Sequence, residues 1–507
     1  MLKRNITANV LGGSLTALVS VLLIPVQVHF LGVPAYGLLA FVASIQILFS
    51  IFDFGLSPTI TREVAKDTSS ELGRTRGMVR SFSLIYWPIG IAIGLALFVA
   101  SGWLADHWLN VGTGTLPSHK VTSAIRLAAI AIAIRWPVSL YGGVLAGRQR
   151  FDLLNGVRAS VAIVNSVGGV AVLVVTGDLI SYMTWTIASA AIEVAAYLFV
   201  LLRLLPGLLV GPKLLPQLDK SILSFARGLT LINLLTMLLT QSDRLLISKL
   251  LAIQALGYYA LAYNILFGLS LIQNFVTSAM FPAFASSGEE ATSIHFRQRY
   301  EKSLQGLLYV YSFPIWFLVF FGRDLLVPVT SVDTANQVAP VLAILGLGFL
   351  CNACASIAYT AAVATGNTAI PIRVNLVAIW WYIPVLAGVT AGFGILGTAS
   401  AWLVLNAYFA LTIVPLVNRI IVKTAAFGGL VRNCVPFVLL AAMLCGLPRL
   451  LLIAFGQHVS VSGVVAIAAV TWATYSVIGF TFLGSPLKTD FVTVLRGAIL
   501  LRLASRE

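Results

Sequence analysis

The sequence predicts an all-α polytopic membrane protein of about fourteen transmembrane helices, built as two six-helix lobes followed by two C-terminal helices. Three observations carry this. Fourteen long apolar segments, most near 20 residues, fill nearly the whole chain. A helix of about 20 apolar residues crosses a hydrocarbon layer of about 30 Å. The basic residues alternate with loop order, and a motif from the first quarter of the chain returns at its middle.

Composition sets the class. The chain has 507 residues, of which 59% are hydrophobic and 10% charged, with a mean hydropathy of +0.97. A soluble domain carries about 25% charged residues, so a soluble multi-domain enzyme is excluded. The net charge of +15 would suit nucleic acid if it lay on one polar face. It lies instead in short loops at helix ends, and no nucleic-acid partner is expected.

The predicted spans are 8–30, 36–57, 81–105, 122–146, 159–176, 179–202, 221–250, 256–280, 304–322, 337–361, 374–390, 395–417, 430–455 and 461–483. The opening Met1-Leu2-Lys3-Arg4 before an apolar run resembles a signal peptide, but the run is too long and no small-residue cleavage site follows it. It reads as a retained first span. With the N-terminus inside, the cytoplasmic segments hold 25 of the 32 basic residues. The positive-inside rule then supports an even span count with both termini cytoplasmic. The tail from Leu487 to Ala504 mixes Val492, Leu495, Ile499 and Leu503 with Arg496 and Arg502, the pattern of a basic amphipathic helix on the inner leaflet.

An internal repeat organises the spans. Ala35, Gly37, Ala40 and Ile45 return as Ala255, Gly257, Ala260 and Ile265, and the same offset pairs Thr16 with Thr236, Ser20 with Thr240 and Asp53 with Gln273. The expected division is an N-lobe over 1–220, a C-lobe over 221–429, two extra spans over 430–485 and a tail over 486–507. Six spans per lobe make the repeats parallel, and transporters built this way bind substrate between the halves and rock them to alternate access.

Polar stripes mark the lining expected of such a cavity. In span one, Asn9, Thr16, Ser20 and Gln27 fall within about 20° of one helical line. In span seven, Asn233, Thr236, Thr240 and Asp243 share a face, with Arg244 beside it. Polar groups facing lipid cost free energy, so both stripes should face protein or water. The alternative is helix–helix hydrogen bonding without a ligand.

Charges inside the spans are sharper signals. Arg135 sits near the middle of span four, Arg126 nearer its outer end, Glu193 in the middle of span six and Asp53 at the inner end of span two. A charge at bilayer depth costs at least about 2.5 kcal/mol, which makes each a functional candidate. Nine residues place Arg126 opposite Arg135, so the two cannot form one clamp. For Arg135 the structural alternative is a pair with Glu193, and for Asp243 a pair with Arg244. A cavity lined by Arg135 and Arg244 with neutral amides and hydroxyls favours an anion, since guanidinium forks match phosphate oxygens.

Other chemistry is thin. No P-loop is present. His29, His107, His119, His295 and His458 are scattered, and Cys351 and Cys354 form a CxxC inside an apolar helix. Neither pattern has the polar partners of a zinc or redox site. No catalytic residue, metal or cofactor is expected.

The stretch Asn9–Leu56 resembles the opening of the polysaccharide transporter family. These are O-antigen and exopolysaccharide flippases of the Wzx type, within the multidrug/oligosaccharidyl-lipid/polysaccharide exporter superfamily. The carrying residues are Leu31, Gly32, Tyr36 and Gly37 between the first two spans, and Asp53, Gly55 and Leu56 closing the second. Asp243-Arg244 followed by Leu256-Gly257-Tyr258-Tyr259, and Thr365-Gly366-Asn367 after span ten, are also similar. The resemblance implies a V-shaped pair of lobes in the bacterial inner membrane. It implies export of a polyprenyl-diphosphate-linked oligosaccharide driven by an ion gradient, with Asp53, Glu193 and Asp243 as competing coupling acids. It also implies membrane lipids, a polysaccharide polymerase and a chain-length regulator as partners. Lipid II flippases of the superfamily carry several arginines in the first lobe. Spans one and two here carry none at depth, which points away from lipid II. A cation-coupled multidrug antiporter is the alternative, disfavoured by the few deep acids. A membrane-embedded glycan-processing enzyme is a third reading, disfavoured by thin outer loops.

Overall fold

The computed structural model describes residues 2–66, 73–111, 116–210, 220–286, 294–457, 459–484 and 487, with side chains described from residue 23 onward except at 66, 220–233, 430 and 433. The helices in order are α1 (Leu2–Phe49), α2 (Leu56–Lys66), α3 (Gly73–Trp103), α4 (Ser118–Arg135), α5 (Val138–Gly147), α6 (Phe151–Thr176) and α7 (Leu179–Leu204). They continue as α8 (Lys220–Leu250), α9 (Ile253–Ala285), α10 (Ile294–Leu326), α11 (Val332–Ala364), α12 (Ala369–Val417), α13 (Gly428–Ala454) and α14 (Val461–Phe482). Among the described residues there is no strand, as backbone in hydrocarbon requires when no barrel closes.

Eleven of the described helical stretches are long and apolar enough to cross a membrane. The predicted fourteen spans differ from these at three places. The helix α1 runs through the expected loop between spans one and two, and α12 runs through that between spans eleven and twelve. Each is broken by a glycine in the left-handed region, Gly32 at φ 75° and Gly394 at φ 61°. Only glycine takes that conformation without strain, so each long helix is two spans joined at a kink. The third place is α8, which matches span seven and whose side chains are described only from Leu234. The predicted amphipathic tail lies outside the described residues apart from Leu487.

The chain divides into two compact units, one of Met1–Leu261 with Ile383–Thr398 and one of Ala262–Tyr382 with Ala399–Glu507. In the first, α1 packs on α6 and α8, α3 on α4, α4 on α7, and the short α2 on α5. In the second, α10 packs on α11, α13 and α14. Among the described residues, side chains cap the starts of α7, α11 and α14. Asp178 accepts from the N–H groups of Ile180 and Ser181 at the start of α7, Ser331 from Thr334 at α11, and Ser460 from Gly463 at α14. Each satisfies a helix-terminal donor that has no intrahelical partner.

The repeat motif found in the sequence is a contact in the first unit. A Cβ on Gly37 would lie 2.2 Å from the Ile253 carbonyl oxygen, and one on Gly257 would lie 2.3 Å from the Val33 carbonyl oxygen. Val33 and Ile253 occupy the same place in the two repeats, so the contact is reciprocal. The start of α9 therefore crosses α1 backbone to backbone, at a distance only glycine permits. The same unit ties the segment after α3 to the α8–α9 turn. Lys249 Nζ donates to the His107 carbonyl at 2.6 Å, Trp108 Nε1 to Ser248 Oγ at 3.0 Å, and the Ile253 N–H to the Asn110 carbonyl at 2.8 Å.

Gly37→Ala forces a methyl group into the Ile253 carbonyl, and overpacking of this kind costs about 1–3 kcal/mol. The variant is expected to melt lower in detergent than the parent. Gly102→Ala, where a Cβ would meet nothing within 4 Å, is expected to melt with it. Equal melting of both variants would contradict the close crossing.

Candidate functional site

The site is built where two helices of the first unit break. The helix α1 loosens into a 3-10 turn over Ser50–Asp53, Phe54 and Gly55 take left-handed conformations, and α2 starts at Leu56. Asp53 Oδ2 accepts from the Ser57 N–H at 3.2 Å, a carboxylate at a helix start where the dipole favours it. Asp53 Oδ1 accepts from the Tyr86 hydroxyl of α3 at 2.5 Å. The predicted span four is likewise two helices, α4 ending at Arg135 and α5 starting at Val138. Pro137 sits in the break, having no N–H for the helical ladder and a ring that clashes with the preceding turn. Arg135 therefore stands at a helix C-terminus, where a cation is favoured.

Close helix packing holds this break in place. A Cβ on Gly90 of α3 would lie 2.6 Å from Trp136 Cβ, and one on Gly94 would lie 2.6 Å from Ala133 Cβ. Small residues four apart let two membrane helices approach closely. Arg135 Nε then donates to Glu193 Oε2 of α7 at 2.7 Å, with the two side chains 24% and 16% exposed.

A cavity of about 460 Å³ opens beside these groups. Gln46, Ser50, Asp53, Ser57 and Pro58 form one wall, and Ile132, Arg135, Trp136, Val138 and Ser139 the other. Its size lies within the range of about 300–1,000 Å³ typical of small-molecule sites. The serine hydroxyl protons are already used: Ser50 donates to the Ile47 carbonyl, Ser57 to that of Ser139, and Ser139 to that of Trp136. The indole N–H of Trp136 is buried with no hydrogen-bond partner among the described residues. The cavity thus combines a guanidinium, an indole, an amide and one carboxylate.

The sequence-predicted residues fall into several groups. Asp53 and Arg135 line one cavity, and Glu193 holds Arg135 from behind. Gln27 Nε2 donates to the Tyr182 hydroxyl of α7 at 3.2 Å, a helix–helix contact. Asn9, Thr16, Ser20 and Asn233 have side chains outside the described residues. Thr236 and Thr240 are exposed. Asp243 is fully buried, accepting from the Tyr259 hydroxyl at 2.6 Å and the Arg244 N–H at 2.7 Å. Arg244 is buried beside it and does not line the cavity. Arg126 turns away, donating from Nε to Ser101 Oγ at 3.2 Å with its guanidinium 5.2 Å from the Phe98 ring centre. Sequence reasoning missed Gln46, Ser50, Ser57, Trp136 and Ser139. A signal existed, since Gln46, Ser50, Asp53 and Ser57 recur at the three- and four-residue steps of one helix face.

Residues 2–287 match the family model for polysaccharide biosynthesis proteins. The chain belongs to that family. A relative from Shigella flexneri named "Putative O-antigen transporter" is 20% identical over 411 residues, covering 79% of this chain and 93% of that protein. The lipid II flippase MurJ in its inward closed conformation superposes with a TM-score of 0.70 at 12% identity, over 93% of this chain and 98% of that one. An inward-facing multidrug resistance MATE family transporter of the MOP superfamily gives 0.65 at 11% identity, over 80% and 95%. At these identities the two structures establish the shared fold. This family member is therefore an all-helical membrane protein with the MurJ/MATE architecture.

The Arg135–Glu193 pair is open to a double-mutant cycle. Removing one partner of a poorly solvated pair strands the other charge. Arg135→Met and Glu193→Leu should each lower the melting temperature, and the double variant should lose less than their sum by about 1–3 kcal/mol. Additive losses would show that the two side chains do not hold each other.

Proposed function

We propose that this family member is a flippase that carries polyprenyl-diphosphate-linked oligosaccharide repeat units across the bacterial inner membrane for surface polysaccharide synthesis. It is a carrier rather than an enzyme in this reading, and it works by alternating access with both termini cytoplasmic. The observation that carries it is Arg135 in a polar cavity inside an apolar bundle. A deep cation held at a helix end suits an anionic head group such as a diphosphate. The family and the Shigella flexneri relative support a polysaccharide substrate.

Asp53 gives the cavity its coupling chemistry. A carboxylate on the wall facing Arg135 repels a diphosphate while it is ionised. A proton or a monovalent cation on Asp53 removes that repulsion, so ion and substrate occupancy are linked through charge. Glu193 takes a second part, because it competes with the substrate for the Arg135 guanidinium. Asp243, sealed beside Tyr259 with no exposure, is the weaker coupling acid. The antiporter reading draws on the MATE fold alone. A cationic drug would meet Arg135 first in this cavity, which disfavours it.

Two measurements test this. Mass spectrometry of polyprenyl-diphosphate oligosaccharides in a deletion strain, resolved by leaflet, is expected to show a complete repeat unit accumulating on the cytoplasmic side. An unchanged surface polymer without accumulation would favour the antiporter, and accumulation on the outer side would retire flipping. In the complemented strain, Arg135→Ala is expected to abolish export and Arg135→Lys to retain part of it, since lysine keeps the charge without the fork. Full export with alanine would remove Arg135 from the cavity's function.

A further inference from the structure

A second polar node lies wholly within the second unit. Asp53, Arg135 and Glu193 come from the second, fourth and sixth predicted spans, and Gln273, Asn352 and Asn406 come from the eighth, tenth and twelfth. The two nodes therefore draw on corresponding spans of the sequence repeat, with only Asp53 and Gln273 at its exact offset, and the second one has no formal charge.

Its hydrogen bonds run in one direction. Gln273 Nε2 donates to Asn352 Oδ1 at 2.9 Å, Asn352 Nδ2 to Asn406 Oδ1 at 2.7 Å, and Asn406 Nδ2 to the Trp402 carbonyl at 2.8 Å. That direction is forced. A carbonyl only accepts, so Asn406 must turn its NH₂ to Trp402. Its oxygen then faces Asn352, which must donate, and the Asn352 oxygen in turn requires the Gln273 NH₂. The network, rather than the placement of N and O atoms, orients all three amides.

Gln273 Oε1 is left at the end of the chain. It is buried with no hydrogen-bond partner, on a residue 9% exposed. The dipoles of the chain behind it point the same way and strengthen it as an acceptor. An acceptor in that state, inside a membrane protein, is unfavourable until a donor reaches it.

We propose that Gln273 Oε1, with the amide chain behind it, is a subsite for a sugar hydroxyl of the transported oligosaccharide. This rests on the flippase reading above and deepens it. A sugar hydroxyl brings the missing donor and carries no charge, so an uncharged node accepts it without penalty. A phosphate oxygen meets an acceptor there and is repelled. A bare cation would sit in this node without a counter-charge, which desolvation disfavours.

The test uses the full-length protein in lipid nanodiscs and three probes. These are the glycan-bearing polyprenyl diphosphate extracted from the deletion strain, sugar-free undecaprenyl diphosphate, and the glycan lipid with its hydroxyls acetylated. The parent protein is expected to bind the glycan lipid roughly tenfold tighter than the sugar-free lipid, and acetylation is expected to remove the difference. Gln273→Met should bring the ratio of the two affinities to about one, whereas Arg135→Ala should weaken both and keep the ratio. A ratio near one in the parent, or a ratio that survives acetylation or Gln273→Met, overturns the subsite and leaves the flippase reading standing; an enclosed water is then the occupant. A sodium dependence lost in Gln273→Met with the ratio intact reassigns the oxygen to a cation and overturns it too. If the parent binds neither lipid, the flippase reading falls and the subsite with it. Should Gln273→Met fail to fold, the acetylated probe on the parent protein decides alone.

Discussion

Hydrocarbon gives a charged group nowhere to go except to another group of the protein, and the Arg135–Glu193 pair is the consequence around which the first unit is arranged. A 2.7 Å contact between α4 and α7 requires three things of the chain. Pro137 must end α4 at Arg135, so that the side chain leaves from a free helix end. Gly90 and Gly94 must let α3 lie against Ala133 and Trp136. Asp53 must stop α1 nearby, held by Tyr86 and the start of α2. The polar cavity is the space those breaks leave. Its floor and walls are the consequence of two interrupted spans, and irregular backbone at membrane depth is tolerated only where it lines such a space.

The two repeats use one plan for different chemistry. Each gathers polar side chains from its second, fourth and sixth spans. The first repeat gathers an acid, a base and an acid, and the second gathers three amides. Charge attracts counter-charge and demands pairing, so the first node is an ion pair with a cavity beside it. Amides satisfy one another in a row, so the second node is a hydrogen-bonded chain that ends at Gln273 Oε1. Lipid-linked oligosaccharides have the same two kinds of polar group, a diphosphate and a set of hydroxyls. The symmetry itself is visible at Gly37 and Gly257, which meet each other's repeat in the same way. Glycine is required there because two backbones touch.

Much of the candidate site was legible because charge inside an apolar run is conspicuous. Asp53, Arg135 and Glu193 each stand out within their spans, and the nine-residue spacing correctly parted Arg126 from Arg135. The structure turns Arg126 to Ser101 and Phe98, away from the cavity. Ser139 was not legible, because a serine in a membrane helix most often bonds to nearby backbone, as Ser139 does to Trp136, and the Ser57 bond to the Ser139 carbonyl joins residues 82 apart. Trp136 carries no charge to single it out in span four. Its buried N–H is a property of surroundings, and no local pattern encodes it. The amide chain was hidden for the same reason. Asn352 lay between two cysteines and Asn406 in an apolar run, and neither is unusual until they meet.

The sequence by itself determined the membrane class, the places of the spans, the parallel repeat and the charged residues that hydrocarbon makes expensive. Those follow from segment length, composition and local periodicity, which are properties of neighbours along the chain. It also marked Gly32 and Gly394 as lying where one span gives way to the next, though not that the helix would run on through a kink. Only the tertiary structure decided which charges meet, which polar stripes bond within the bundle, and where a cavity remains. Arg135 and Glu193 are 58 residues apart, and Gln273 and Asn352 are 79 apart. Contacts at such separations depend on how helices pack against one another, which no pattern among neighbours along the chain encodes.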